Sequence, residues 1–233
     1  MKKFLYNLLF PLCIVAILLG SIITVSLNRG FYSRQYEKND APLFTGLSLE
    51  DLDSVTDNLL DYLVGARDNL DMQAKVKNQV REVFDQREKA HMIDVQRLYI
   101  NVLYLELALI VGAGLILAFI YTDKDKKGLQ SALFARYKIT LGVSFLFTLC
   151  IGTVFIFNFN WFWTTFHHVF FSNDLWLLDP NVSVMINMFP LEFFFSMCTK
   201  ILIGFFCGCM VIYLLLMPKK WHKGSEKTQE NQN

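Results

Sequence analysis

Four stretches of the chain, residues 4–27, 98–121, 139–157 and 194–217, run almost without charge. Each is near the roughly 20 residues that a helix needs to cross a hydrocarbon core of about 30 Å. Inside a bilayer every backbone N–H and C=O must find its partner within the chain, so such runs are read as helices. The fold class that follows is an all-α integral membrane protein with four transmembrane helices. The overall content of 54% hydrophobic residues, with 22 Phe, belongs to the same class. Two charges interrupt the runs, Glu106 in the second and Lys200 near the start of the fourth. Either needs a partner, a proton change or a wet cavity.

The first run follows Lys2 and Lys3 and exceeds the roughly 7–15 apolar residues of a signal-peptide core; no small-x-small cleavage site comes after it. It is expected to be retained, with Pro11 as a possible kink. Lys/Arg residues then set the orientation. They flank the N-terminus, fill the 122–138 loop (Lys124, Lys126, Lys127, Arg136, Lys138) and begin the tail (Lys219, Lys220, Lys223, Lys227), whereas residues 139–199 contain none. The positive-inside rule places both termini in the cytoplasm. The expected organisation is a transmembrane helix at 1–27, an extracytoplasmic helical region at 28–97 and a second span at 98–121. A cytoplasmic loop at 122–138, a third span at 139–158 and an extracytoplasmic interfacial segment at 159–193 follow. A fourth span at 194–217 and a cytoplasmic tail at 218–233, expected to be disordered, complete the chain.

Within 28–97, Asn39-Asp40-Ala41-Pro42 marks a turn. Ser48, with Asp51 three residues on, starts a helix whose apolar face is Leu49, Leu52, Leu59, Leu60 and Leu63 and which Gly65 ends. The Lys-, Gln-, Arg- and Glu-rich stretch from Met72 to Tyr99 predicts a further helix running into the second span.

Chemistry concentrates in residues 161–195. This segment is aromatic enough to touch lipid, yet it carries His167, His168, Asp174, Asp179 and Glu192 and is interrupted by Pro180 and Pro190. Alternation puts it on the same face as residues 28–97, whose end holds Glu88, His91 and Asp94 at helical i, i+3 spacing. A carboxylate beside an imidazole fixes its tautomer and suits it to general-base work; an ordinary exposed charge pair has the same spacing. Consecutive histidines on a helix point roughly 100° apart, so at most one of His167 and His168 reaches His91. Trp161, Trp163 and Trp176 fit an interfacial aromatic belt in any case, and Asp179-Pro180-Asn181 fits a turn.

Zinc held by His91, His167 or His168 and Asp174 would make a metal-dependent membrane hydrolase; no HExxH is present. No GxSxG occurs, and the five cysteines fall within the apolar runs, as inert packing residues do. A net charge of +1 gives no reason to expect a nucleic-acid partner. A non-catalytic membrane accessory protein stays open alongside the enzyme readings.

Two motifs together resemble a known family. Glu88-x-x-His91-Met92-x-Asp94-Val95 is one. The other is Phe166-His167-x-x-Phe170-Phe171, followed by Asn173-Asp174-x-Trp176-x-Leu178-Asp179-Pro180 and Pro190-x-x-Phe193-Phe194. They are similar to the bacterial lipoprotein intramolecular transacylase (Lit) family, and the resemblance covers nearly all of the chain before Pro218. It implies an acyltransferase of the bacterial plasma membrane, active on its extracytoplasmic face. The substrates would be diacylglyceryl-modified lipoproteins, membrane lipid would be the surrounding partner, and no cofactor or metal is implied. The reaction would move the sn-2 acyl chain onto the α-amino group of the lipoprotein's N-terminal Cys, giving the lyso-form. His91 and His167 (directly after Phe166) are the implied catalytic pair. Glu88, Asp94, His168, Asn173, Asp174, Trp176 and Asp179 are implied as supporting or substrate-binding residues.

Overall fold

The computed structural model describes residues 2–122 and 128–218. The expectations about Lys124, Lys126, Lys127 and the tail from Lys219 onward fall outside these residues. In chain order the elements are α1 (Lys2–Ser26), α2 (Arg29–Lys38), α3 (Ala41–Thr45), α4 (Leu49–Leu63) and β1 (Gln73–Val76). They continue with β2 (Gln79–Glu82), α5 (Gln86–Tyr121), α6 (Leu129–Phe157), α7 (Phe159–Phe170), α8 (Val184–Met188) and α9 (Leu191–Leu216).

Four helices among the described residues are long and apolar enough to cross a membrane: α1 from Phe4, α5, α6 and α9. The protein is a multi-pass membrane protein. α1 is the hub, packing on α5, α9 and α6, and it continues through Pro11. Leu9, Phe10 and Ile14 of α1 meet Ala113, Ile120, Leu133, Tyr137, Phe205 and Cys209 in one core near the ends of the bundle that carry the termini. α6 packs on α1 and α9, whereas α5 packs chiefly on α1. The helices that lead to the two halves of the site, α5 and α6, thus both pack on α1.

At the other end sits a cap with its own core. Phe31, Tyr36, Leu47, Leu52, Val76, Val83, Phe84, Met188 and Phe193 are among its buried residues. α4 is capped by Ser48, whose hydroxyl accepts from Asp51 N at 3.1 Å, and it ends before Gly65, which lies at φ 77°. Leu52, Leu59, Leu60 and Leu63 face the core.

The continuous helix expected from Met72 is not formed. Residues 73–82 make an antiparallel hairpin in which Gln73 faces Glu82 and Val76 faces Gln79. Lys77 and Asn78, both left-handed at φ 49° and 67°, supply the two-residue turn that matches strand twist. Helix propensity here is worth only tenths of a kcal/mol per residue, by rough scale. Docking Val76, Val83 and Phe84 into the cap core outweighs it. Lys77 N also donates to Gly46 O at 2.9 Å. A Cβ at Gly46 would sit 2.5 Å from Lys77 Cγ and the residue lies at φ 74°, so the hairpin closes against α3 only over a glycine. Helix resumes at Gln86, where Asp85 and Glu88 form a capping box.

Candidate active site

α5 has 36 residues, so at 1.5 Å each it is about 54 Å long, well beyond a core of about 30 Å. Its first turns, to Arg97, carry Arg87, Glu88, Lys89, Asp94 and Arg97, more charge than hydrocarbon tolerates. Three side chains of this exposed end stitch α5 to the segment that follows α7. Arg87 donates through Nε to Leu177 O at 3.1 Å and through Nη2 to Asp174 O. Asp94 Oδ2 accepts from Asn173 Nδ2 at 2.8 Å, while Asn173 Oδ1 accepts from Leu175 N at 3.0 Å. Glu88 is fully buried; Oε1 accepts from Ser183 Oγ at 2.6 Å and from Met185 N at 2.8 Å, and Oε2 accepts from Asp85 N at 2.6 Å.

These ties bring His91 of α5 and His167 of α7 together, with ring centroids 6.2 Å apart. Both are buried, whereas His168 is exposed and meets only the edge of Trp176 at 5.6 Å. Phe171 closes one side, 5.3 Å from His91 and 5.7 Å from His167. Trp176 stacks on His167 at 4.5 Å, and Trp163, one turn before His167, lies 4.5 Å from it on a tilted ring. His167 Nδ1 lies 2.8 Å from Trp163 O. A carbonyl only accepts, so this nitrogen carries the proton and Nε2 presents a lone pair. His91 Nδ1 is buried with no hydrogen-bond partner among the described residues.

The expected hydrogen bond from a carboxylate to His91 is absent. Glu88 is occupied by the capping box and by the α8 ties. Asp94 is turned to Asn173, with Arg97 at 3.5 Å, and reaches His91 only through its charge. Asp174 is exposed and contributes its carbonyl to Arg87. Asp179 Oδ1 accepts from Asn181 N and Nδ2, a local turn rather than a bond to either histidine. Arg87 and Ser183 were not singled out by sequence, and Trp163 and Phe171 entered only as a belt residue and a motif residue with no place in the site. Arg87 left a signal that went unused, since it lies four residues before His91 on the same helical face. Among the described residues no three His, Cys, Asp or Glu side chains converge as metal ligands, so the zinc set of the competing hydrolase reading is not assembled.

Burial, followed by the neighbouring His167, pushes the His91 pKa down from 6.5 to about 4, while Asp94 pulls the other way. His167 is also lowered by burial, against the bond to Trp163 O and with a small further lowering from His168. Both imidazoles are neutral at pH 7. In an unfolded chain each would take a proton near 6.5, so stability is unaffected above that value and is lost as pH falls from 6.5 toward the folded pKa. In detergent, the thermal midpoint should be level from pH 8 to 7 and decline between 6.5 and 5. His91→Phe should make that decline shallower; an unchanged slope would assign it to other groups.

The comparisons with known proteins agree with this architecture. The family model described as "Lipoprotein intramolecular transacylase Lit" matches residues 7–194. No curated protein matches the chain by sequence. Among solved structures, the membrane-integral lipoprotein intramolecular transacylase Lit from Bacillus cereus is similar at a TM-score of 0.73 and 20% identity. The alignment covers 93% of this chain and 95% of that one. A form of the same protein with a substituted histidine is similar at 0.72 and 19%, covering 93% and 92%.

Proposed function

Because the chain belongs to the lipoprotein intramolecular transacylase (Lit) family and is therefore an acyltransferase, we propose that its substrate is a diacylglyceryl lipoprotein with a free N-terminal α-amino group. The sn-2 acyl chain moves to that amine, giving the lyso-form. The cap lies on the extracytoplasmic face of the bacterial plasma membrane, and both termini are cytoplasmic. The charge asymmetry supports this orientation.

One observation carries the reading. Two neutral imidazoles, one from α5 and one from α7, face each other 6.2 Å apart at the point where apolar helices meet a polar cap. Lipid chains require apolar walls, and the exposed Leu107 and Val111 of α5 and Leu146 and Phe147 of α6 offer them. The amine requires a base. His91 takes the proton that leaves nitrogen as the N–C bond forms, then returns it to the sn-2 oxygen as the C–O bond breaks. His167, its tautomer held by Trp163 O, accepts from the amine through Nε2 and fixes its direction. Donor ester and acceptor amine share one molecule, so proximity lowers the barrier and no acyl-enzyme is needed. Asp94, Asn173 and Arg87 position the loop around them; Asp174 and Asp179 shape it; His168 marks its exposed rim.

The test is mass spectrometry of the N-terminal lipopeptide from cells lacking other N-acylating enzymes. Expression of the wild-type protein should convert the diacylglyceryl form to the lyso-form with the total acyl count unchanged. An unaltered lipopeptide in cells that contain the inserted protein would overturn the substrate assignment.

A further inference from the structure

Trp176 is 9% exposed, and its indole Nε1–H has no hydrogen-bond partner among the described residues. Buried indole N–H groups normally find an acceptor, because an orphaned donor forfeits its hydration and gains nothing in return. This orphan lies within the histidine pair's surroundings. The indole stacks on the His167 ring with centroids 4.5 Å apart and planes 26° from parallel.

A tetrahedral oxyanion needs a donor, and many of the donors around the histidines are committed. Phe171 N donates to His167 O, Leu177 N to Asp174 O and Leu178 N to Trp176 O. Leu175 N donates to Asn173 Oδ1, and Asn173 Nδ2 to Asp94. The Arg87 guanidinium is spent on Asp174 O and Leu177 O. The Nδ1 proton of His167 is given to Trp163 O, and its Nε2 is an acceptor while the ring is neutral. Of the side chains stacked on His167 among the described residues, Trp176 is the one whose buried N–H has no acceptor.

Resting on the transacylase reading above, we infer that the Trp176 indole N–H is the donor that receives the sn-2 ester carbonyl oxygen and holds it as the oxyanion. The amine lone pair forms the N–C bond while the carbonyl π pair moves onto oxygen. That oxygen accepts from Nε1–H. The pair then returns, the bond from carbon to the sn-2 oxygen breaks, and the leaving oxygen takes the proton that the amine gave to His91. The sum is ester plus amine to amide plus alcohol, with no other reactant. Trp176 keeps its proton throughout, since indole serves only as a donor. It is thus a catalytic residue, and its bond is strongest at the charged stage, which raises kcat rather than substrate affinity.

The test replaces Trp176 with β-(3-benzothienyl)alanine, which keeps the bicyclic shape and stacking but has sulfur where the N–H was, and separately with Phe. Purified wild-type and variant proteins are assayed on a synthetic diacylglyceryl lipopeptide. Two unreactive analogues serve as inhibitors, one with a phosphonate at the sn-2 position and one with an ether there. The benzothienyl variant should lose on the order of 10²–10³-fold in kcat at a KM within about twofold. It should lose phosphonate affinity by a similar factor, hold ether-analogue affinity and keep its thermal midpoint. The Phe variant should show the same split between the two analogues. A benzothienyl variant within about threefold of wild type in kcat overturns the assignment while leaving the transacylase reading standing. Equal loss of both analogues also overturns it, making the indole a wall of the site. If the wild-type protein itself does not turn over the lipopeptide, the transacylase reading fails and the assignment goes with it.

Discussion

His91→Ala is expected to lower kcat on lipoprotein substrate by on the order of 10²–10⁴-fold, the usual contribution of a positioned general base. The size follows from the isolation of this imidazole. Its Nδ1 is buried without a partner, and burial keeps the ring neutral with a pKa of about 4. Neither Glu88 nor Asp94 is free to take over, since both are held by other donors. His167 is already tied through Nδ1 to Trp163 O, so it offers one direction of approach, set by α7. Steady-state kinetics on a synthetic lipopeptide in detergent would measure the effect, with KM expected to change little. A variant that keeps more than a tenth of wild-type kcat would remove His91 from the proton path. The same assay on His167→Ala asks whether the amine needs that second imidazole.

Glu88→Ala should strongly destabilise the cap, by about 3–5 kcal/mol, since each buried donor left without an acceptor costs about 1–3 kcal/mol. Three donors lose their acceptor at once: Asp85 N at the start of α5, Ser183 Oγ and Met185 N at the start of α8. The Ser183 hydroxyl then keeps, among the described residues, only the bond that Oγ accepts from Ile186 N at 3.2 Å. The chain between α7 and α9 is held to α5 by this carboxylate, by Arg87 and by Asp94, so its loss should loosen the loop bearing Trp176. Hydrogen exchange read across residues 171–190 should show protection falling well before that of the four long helices. Glu88→Gln should fall between, because it keeps the shape but turns an amide N–H₂ toward one of the former donors. Unchanged protection in Glu88→Ala would show that the α8 ties are redundant.

Glu88 also illustrates what a linear reading misses. Its spacing to His91 invites a carboxylate–imidazole pair, whereas the structure uses Glu88 in a capping box with Asp85. A carboxylate has a limited number of lone pairs, and the tertiary structure spent them on the ends of two helices. The hairpin at 73–82 escaped for a related reason. Gln, Lys, Arg and Glu have good helix propensity, but two valines and a phenylalanine had a core to enter. That core is assembled from α2, α4, α8 and α9, which are distant in sequence.

What the sequence determined by itself is whatever depends on local length, period and composition. Four nearly uncharged runs long enough to satisfy their own backbone in lipid dictate four helices and a membrane class. Ser48 and Gly65 mark the ends of α4 through bonds and backbone angles that lie within a few residues. What only the tertiary structure decided is how the site is composed. It turned His167 inward and left His168 exposed, moved Asp94 from His91 to Asn173, and reduced Asp179 to a local turn. It also stacked Trp176 on His167 with its N–H unpaired. Each of these depends on which of several nearby acceptors or ring faces a side chain meets. That choice is set by packing between α5 and a segment about eighty residues further along the chain, where no local pattern reaches.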